Sequence, residues 1–171
     1  MSKRKVALYV VGGLVALGLI GNMIEDTPSS SPKTEVVEQK GLSNEEYNLV
    51  MADYYGTFSD VMDEFSNLMF EGSNDPSILD SPEYLADVQE VCDILLQNTE
   101  EMRAVEPPAD YEDEHNRLMD ALDHFEIVAK ELPSTIEDLD VNNMPVLIDH
   151  MNEGNAILGE IIEEYMEAGE L

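Results

Sequence analysis

Positive charge is scarce in this sequence: 8 Lys and Arg stand against 38 Asp and Glu in 171 residues. Five of the eight cations fall within the first 40 residues, so from Gly41 onward only Arg103, Arg117 and Lys130 face 34 acids, a formal charge of −31. Phosphate backbones are held by Lys and Arg, which excludes nucleic acid as a ligand of that region. Anionic lipid head groups and anionic wall polymers are repelled for the same reason. Cations, cationic peptides and basic protein surfaces remain as attracted partners, and the plainest role for such a surface is a solvated acidic coat.

Cysteine is nearly absent too. Cys92 is the only one, so no internal disulfide can form and no redox pair exists. A domain without such a staple must stand on its apolar core. Cys92 itself lies between Val88 and Leu95 at apolar spacing, where a thiol behaves as a small inert hydrophobe. A Gly-rich phosphate loop and a Gly-x-Ser-x-Gly elbow are both missing. In a chain this acidic a carboxylate pair can be found anywhere and carries no information. The expectation is a protein that is not an enzyme and has no cofactor.

Long hydrophobic runs are confined to one place. After Lys3-Arg4-Lys5 comes the uncharged stretch Val6 to Ile24, with Leu14 near its centre, followed by Glu25 and Asp26. As a helix rising about 1.5 Å per residue it spans roughly 28 Å, close to a bilayer's hydrocarbon core. Cations before the span predict a cytoplasmic N-terminus, with everything after residue 24 outside the cytoplasm. A cleaved secretory signal, with Ala16 and Gly18 as its small residues, is the alternative, and it also exports the rest. Residues 25–42 carry Pro28, Pro32 and three consecutive serines without an apolar period, and are expected to act as a flexible tether.

Beyond the tether the pattern becomes helical. Tyr47, Met51, Tyr54, Phe58, Val61, Phe65 and Leu68 recur at heptad spacing, with Ser43 and Glu46 as a capping box and Gly72 as the expected stop. Ser81-Pro82 opens a second helix with the seam Leu85, Val88, Cys92, Leu95, Thr99, Met102. A third runs through Tyr111, His115, Leu118, Leu122, Phe125, Ala129 and Leu132, expected to end at Pro133. The connection 133–142 has room for a short turn around residues 134–139. A fourth helix follows Asn142-Asn143 with the seam Met144, Ile148, Met151, Asn155, Leu158, Ile162, Tyr165, its register blurred by Gly154. No stretch alternates with period two. The expected fold is all-α: an antiparallel four-helix bundle over residues 43–171, preceded by one transmembrane helix (1–24) and the linker (25–42).

Histidines and acids supply the metal candidates. Glu112 and His115 have the Glu-x-x-His spacing that di-iron bundles use, but only once, and no carboxylate falls on the seams above. His115 on a seam reads more simply as a neutral core histidine bonded to a tyrosine hydroxyl or to Thr99. His124 reads as outward-facing, and His150 sits beside the seam residue Met151; either, with nearby acids, could hold a divalent ion weakly. Asp138, Asp140, Asn142 and Asp149 match positions 1, 3, 5 and 12 of a calcium loop. Asn143 replaces the turn glycine of that loop, Pro145 interrupts it, and Asn142 or Asn143 reads instead as a helix cap. The methionines at seam positions are core fillers.

The stretch PPADYEDEHNRLMDALDHF, through Pro107, Pro108, Tyr111, His115, Leu118 and Ala121, resembles a pattern in uncharacterised small exported helical proteins of Gram-positive bacteria. That resemblance covers one helix and implies a surface or lipoprotein-like helical domain, with no known activity attached. The lipid-anchor cysteine such proteins often carry has no counterpart here. The expected protein is thus a membrane-held module outside the cytoplasm that binds a protein partner, a basic surface being the kind its charge attracts. The alternative is divalent-cation binding through His115 and Glu112 or the 138–149 loop. A partner module calls for an unbroken apolar patch; a metal protein calls for acids converging on a histidine.

Overall fold

The computed structural model describes residues 42–168, with side chains as far as Glu164. The expected span 6–24 and all of the tether but Leu42 lie outside the described residues. Within them the chain is all-α: helices α1 (Asn44–Asn74), α2 (Pro82–Arg103), α3 (Glu112–Glu137) and α4 (Met144–Ala168), with a 3-10 turn at Ala109–Tyr111 and no strand. None of these helices is long and apolar enough to cross a membrane.

Local chemistry starts α1 and α2 where the sequence predicts. The Ser43 hydroxyl accepts the Glu46 N–H at 3.3 Å, and the Glu46 carboxylate accepts the Ser43 N–H at 3.0 Å, so two otherwise orphaned donors are satisfied reciprocally. At α2, Ser81 Oγ accepts the Tyr84 N–H and Pro82 occupies the first turn. The apolar faces then fold the helices against their sequence neighbours, α1 on α2, α2 on α3 and α3 on α4. Asn98 donates to the Tyr54 carbonyl and Tyr84 donates to that of Leu68, so α1 and α2 run in opposite directions. Arg117 pairs with Glu160 and Glu164, and Asn143 with Glu131, which sets α3 against α4 the same way.

Three sequence expectations fail, each because packing overrides a local signal. Gly72 does not stop α1, which continues to Asn74. It is a close-approach residue: a Cβ there would lie 2.5 Å from the Tyr84 hydroxyl and 2.8 Å from Leu79. Pro133 does not stop α3 either; the helix passes through it to Glu137. Leu132, Thr135 and Ile136 are all buried, so the apolar face extends beyond the proline and offsets its missing N–H. The turn expected around 134–139 is the end of this helix, closed by Leu139 in the left-handed region at φ 53° with its side chain against the core.

The third correction concerns α4. Its buried line is Met144, Leu147, Met151, Gly154, Leu158 and Ile161, so Ile148 and Asn155 flank the seam instead of lying on it. Gly154 is the pivot. A Cβ at this position would meet the Phe125 ring at 2.9 Å and the Ala121 carbonyl oxygen at 3.3 Å, so only glycine lets α4 come this close to α3. Phe125 is fully buried and stacks edge-on against Phe58 of α1, centroids 5.0 Å apart. One ring thereby touches α1, α3 and α4. Asn155, displaced from the seam, keeps both polar atoms of its carboxamide buried without a protein partner.

Candidate metal centre

His115 lies where its spacing predicts, buried in the seam of α3. Its Nδ1 is 2.9 Å from the Tyr47 hydroxyl, and Tyr111 stacks near Tyr47 with centroids 5.1 Å apart. Burial holds the His115 pKa below its usual 6.5, so the ring is neutral; a hydroxyl proton donated to Nδ1 then puts the ring hydrogen on Nε2. Glu112 is exposed, and among the described residues no set of three His, Cys, Asp or Glu ligand atoms converges on it or on His115.

This arrangement makes a pH prediction. With its folded pKa depressed, His115 contributes stability that is complete above the unfolded value of 6.5 and is lost as pH falls through the folded value. The titratable group in contact with it is Tyr47, whose hydroxyl in turn feels Tyr55, Glu114 and Tyr111. Urea midpoints of wild type and His115→Gln between pH 7 and pH 5 should diverge in slope, with the wild type losing more. Parallel slopes would show that the histidine is already protonated or solvated in the fold.

No such set includes Asp138, Asp140 or Asp149 either. Asp140 turns its carboxylate to the chain itself, accepting the N–H groups of Asn142 at 2.9 Å and Asn143 at 3.4 Å. Asn143 stands at the start of α4, its carbonyl accepting the Val146 and Leu147 N–H groups, while its side chain donates to Thr135 Oγ1 at 2.9 Å and to Glu131 at 3.0 Å on α3. This segment ties two helices together, and α4 is already under way by Met144, inside the would-be calcium loop.

What does converge is His124 of α3 with His150 and Glu153 of α4, whose ligand atoms all lie within 4.8 Å of one another. His124 Nδ1 is 2.9 Å from His150 Nδ1 and 3.3 Å from a Glu153 carboxylate oxygen. His150 and Glu153 stand three residues apart, so they share one helix face. Gly154, next to Glu153, brings that face up to His124. The His124 side chain is 24% exposed and that of Glu153 is 64%, so the group sits at the rim of the α3–α4 interface, open to solvent and partly sheltered. Two bare nitrogen lone pairs 2.9 Å apart would repel; one ring must donate its Nδ1–H to the other. Neither His124 as an outward residue nor His150 as a seam neighbour suggested this pairing. The available signal was His150-x-x-Glu153, the reverse of the spacing tested, followed directly by glycine.

Cations that could compete for these acids are occupied elsewhere. Arg103 pairs with Asp123 and Glu126, Lys130 with Glu126, and Arg117 with Glu160 and Glu164. These are the only Lys and Arg beyond residue 40. Comparison with family models, with curated proteins and with solved structures returned no match.

Proposed function

We propose that this chain is a membrane-held helical domain outside the cytoplasm that binds divalent cations and does not catalyse a reaction. One observation carries the cation reading: two imidazoles and a carboxylate, delivered by two helices, meet at a solvent-accessible rim. The surrounding charge supports it, because a surface dense in carboxylates raises the local concentration of any cation. The membrane attachment and export rest on the apolar run Val6 to Ile24 behind three cations. Within that reading the four helices act as a scaffold that holds the site.

A basic protein partner is the second reading, favoured by a separate observation. Residues 43–102, which cover α1 and nearly all of α2, contain 15 acids and no Lys or Arg. Such a partner would be recognised by charge, since the exposed large apolar residues Leu49, Phe70, Ile94 and Val146 are spread over three helices. Leu49 and Phe70, both on α1, are separated by roughly 30 Å of helix. They make no docking patch.

The test is equilibrium dialysis of the untagged full-length chain in detergent micelles against magnesium, calcium, manganese and zinc, with elemental analysis of the retained ion. One equivalent of some divalent ion retained at micromolar free concentration is expected. Retention of none would remove the cation reading and leave the basic partner, whose binding should then fall steeply with added salt.

A further inference from the structure

We infer that the ion taken by His124, His150 and Glu153 is a borderline transition metal of the zinc class, held by three protein ligands with a fourth position open. This inference rests on the cation-binding reading and narrows it.

The donor set decides the class of ion. Two of the three ligand atoms are imidazole nitrogens, which suit zinc, cobalt, nickel and copper. Calcium requires six to eight oxygens and magnesium a near-octahedral oxygen shell with retained waters, so neither is served by two nitrogens and one carboxylate. Two of the three separations come close to what a zinc-class ion needs. Metal–nitrogen and metal–oxygen bonds of about 2.0–2.2 Å in a tetrahedron put neighbouring ligand atoms roughly 3.3–3.5 Å apart. The His124–Glu153 separation of 3.3 Å already fits, and the His124–His150 separation of 2.9 Å needs only a few tenths of an ångström of opening. Exchanging the Nδ1–H···Nδ1 hydrogen bond for two metal bonds makes that opening favourable.

The tautomers also permit it. In the neutral pair one ring carries its hydrogen on Nδ1 and the other offers a lone pair there. When the donor ring moves its hydrogen to Nε2, both Nδ1 atoms present lone pairs to the ion. Three protein ligands leave the fourth tetrahedral position to water or to an incoming group, because no further His, Cys, Asp or Glu joins the set among the described residues. Such a site exchanges its ion more readily than a closed four-ligand site. Because the ligands come from both α3 and α4, the ion also ties these helices together, and it should stabilise the fold as its concentration passes its Kd.

Cobalt(II) added to the untagged full-length chain in micelles provides the test, since tetrahedral cobalt absorbs visible light far more strongly than octahedral cobalt. The expected result is an intense band saturating at one equivalent, bleached by one equivalent of zinc and unmoved by excess calcium or magnesium. His124→Ala and His150→Ala should each weaken binding by more than the roughly 10–100-fold that loss of an outer-shell contact costs. Far-UV circular dichroism should show that both variants keep their helices. A weak octahedral-type band, displaced by calcium and identical in His150→Ala, would overturn the zinc-class assignment while cation binding itself stood. No retention of cobalt, zinc or calcium by the wild type would overturn both.

Discussion

Phe125→Ala is expected to destabilise the domain by about 3–5 kcal/mol, read as a fall in the urea midpoint at unchanged slope. The ring is fully buried, stacks on Phe58, and lies directly under Gly154, so its removal opens a void where α1, α3 and α4 meet. Domains of this size have about 5–15 kcal/mol of stability in all, so the variant should be marginal at physiological temperature. Gly154 is coupled to the same ring. Gly154→Ala gains about 1 kcal/mol of helix propensity but drives a methyl to 2.9 Å from Phe125, an overpacking that costs about 1–3 kcal/mol. Combining Gly154→Ala with Phe125→Leu should therefore cost less than the sum of the two single changes. Strict additivity, or a loss below about 1 kcal/mol for Phe125→Ala, would mean that the two helices do not approach as described.

The second large effect is alkaline unfolding. Burial pushes the Tyr84 and Tyr55 hydroxyls and the Cys92 thiol up to about 12, and raises Tyr47 further. Each folded pKa lies above its ordinary value, 10.0 for tyrosine and 9.0 for cysteine. Their contribution to stability is therefore whole below pH 9 and is lost as pH rises through the folded values. The reason is desolvation: Tyr84 donates its hydroxyl hydrogen to the Leu68 carbonyl, and Cys92 lies in an apolar seam with no cation to stabilise a thiolate. Summed over Tyr84, Tyr47 and Cys92, all deeply buried, the loss between pH 9 and pH 12 is of the order of several kcal/mol, enough to unfold the domain. Tyrosinate absorbance and far-UV circular dichroism should change together, and Cys92→Ala should move the onset upward. Tyrosine ionisation near pH 10 with the helices intact would contradict the packing at these rings.

The proposed cation site borders the core at Phe125 and Gly154, so the two can be separated experimentally. Phe125 and Gly154 are packing residues that act on the site by setting how close α4 comes to α3. His124 and His150 are half-buried, so replacing them should cost little stability in the absence of ion. Ion binding lost with stability unchanged is therefore the signature of the histidines. Ion binding lost together with stability is the signature of the helix approach.

Much of this molecule could be read without coordinates. The heptad spacing from Tyr47 to Phe65, the Ser43–Glu46 box and the Ser81-Pro82 start are local features: each depends on residues within a turn of one another, so sequence order alone contains the information. His115 as a core histidine bonded to a tyrosine hydroxyl was legible for the same reason, since a seam position implies burial and burial implies a partner. The net charge needed no fold at all.

Tertiary structure alone decided the rest, wherever a residue's role depends on what faces it from another helix. Pro133 looks like a terminator, yet the buried face of its helix continues beyond it, and Gly72 looks like one but is the place where Tyr84 and Leu79 come close to the backbone. Gly154 looks like a defect in the fourth seam; only the position of Phe125, 29 residues earlier, shows it to be the point of closest approach. That approach rotates α4 in register and brings His150 and Glu153 to His124, a meeting that no spacing along the chain encodes. Periodicity specifies which face of a helix is buried, whereas the rotation and distance between two buried faces are set by side-chain volumes that must interlock. A site shared by two helices inherits its geometry from that interlocking.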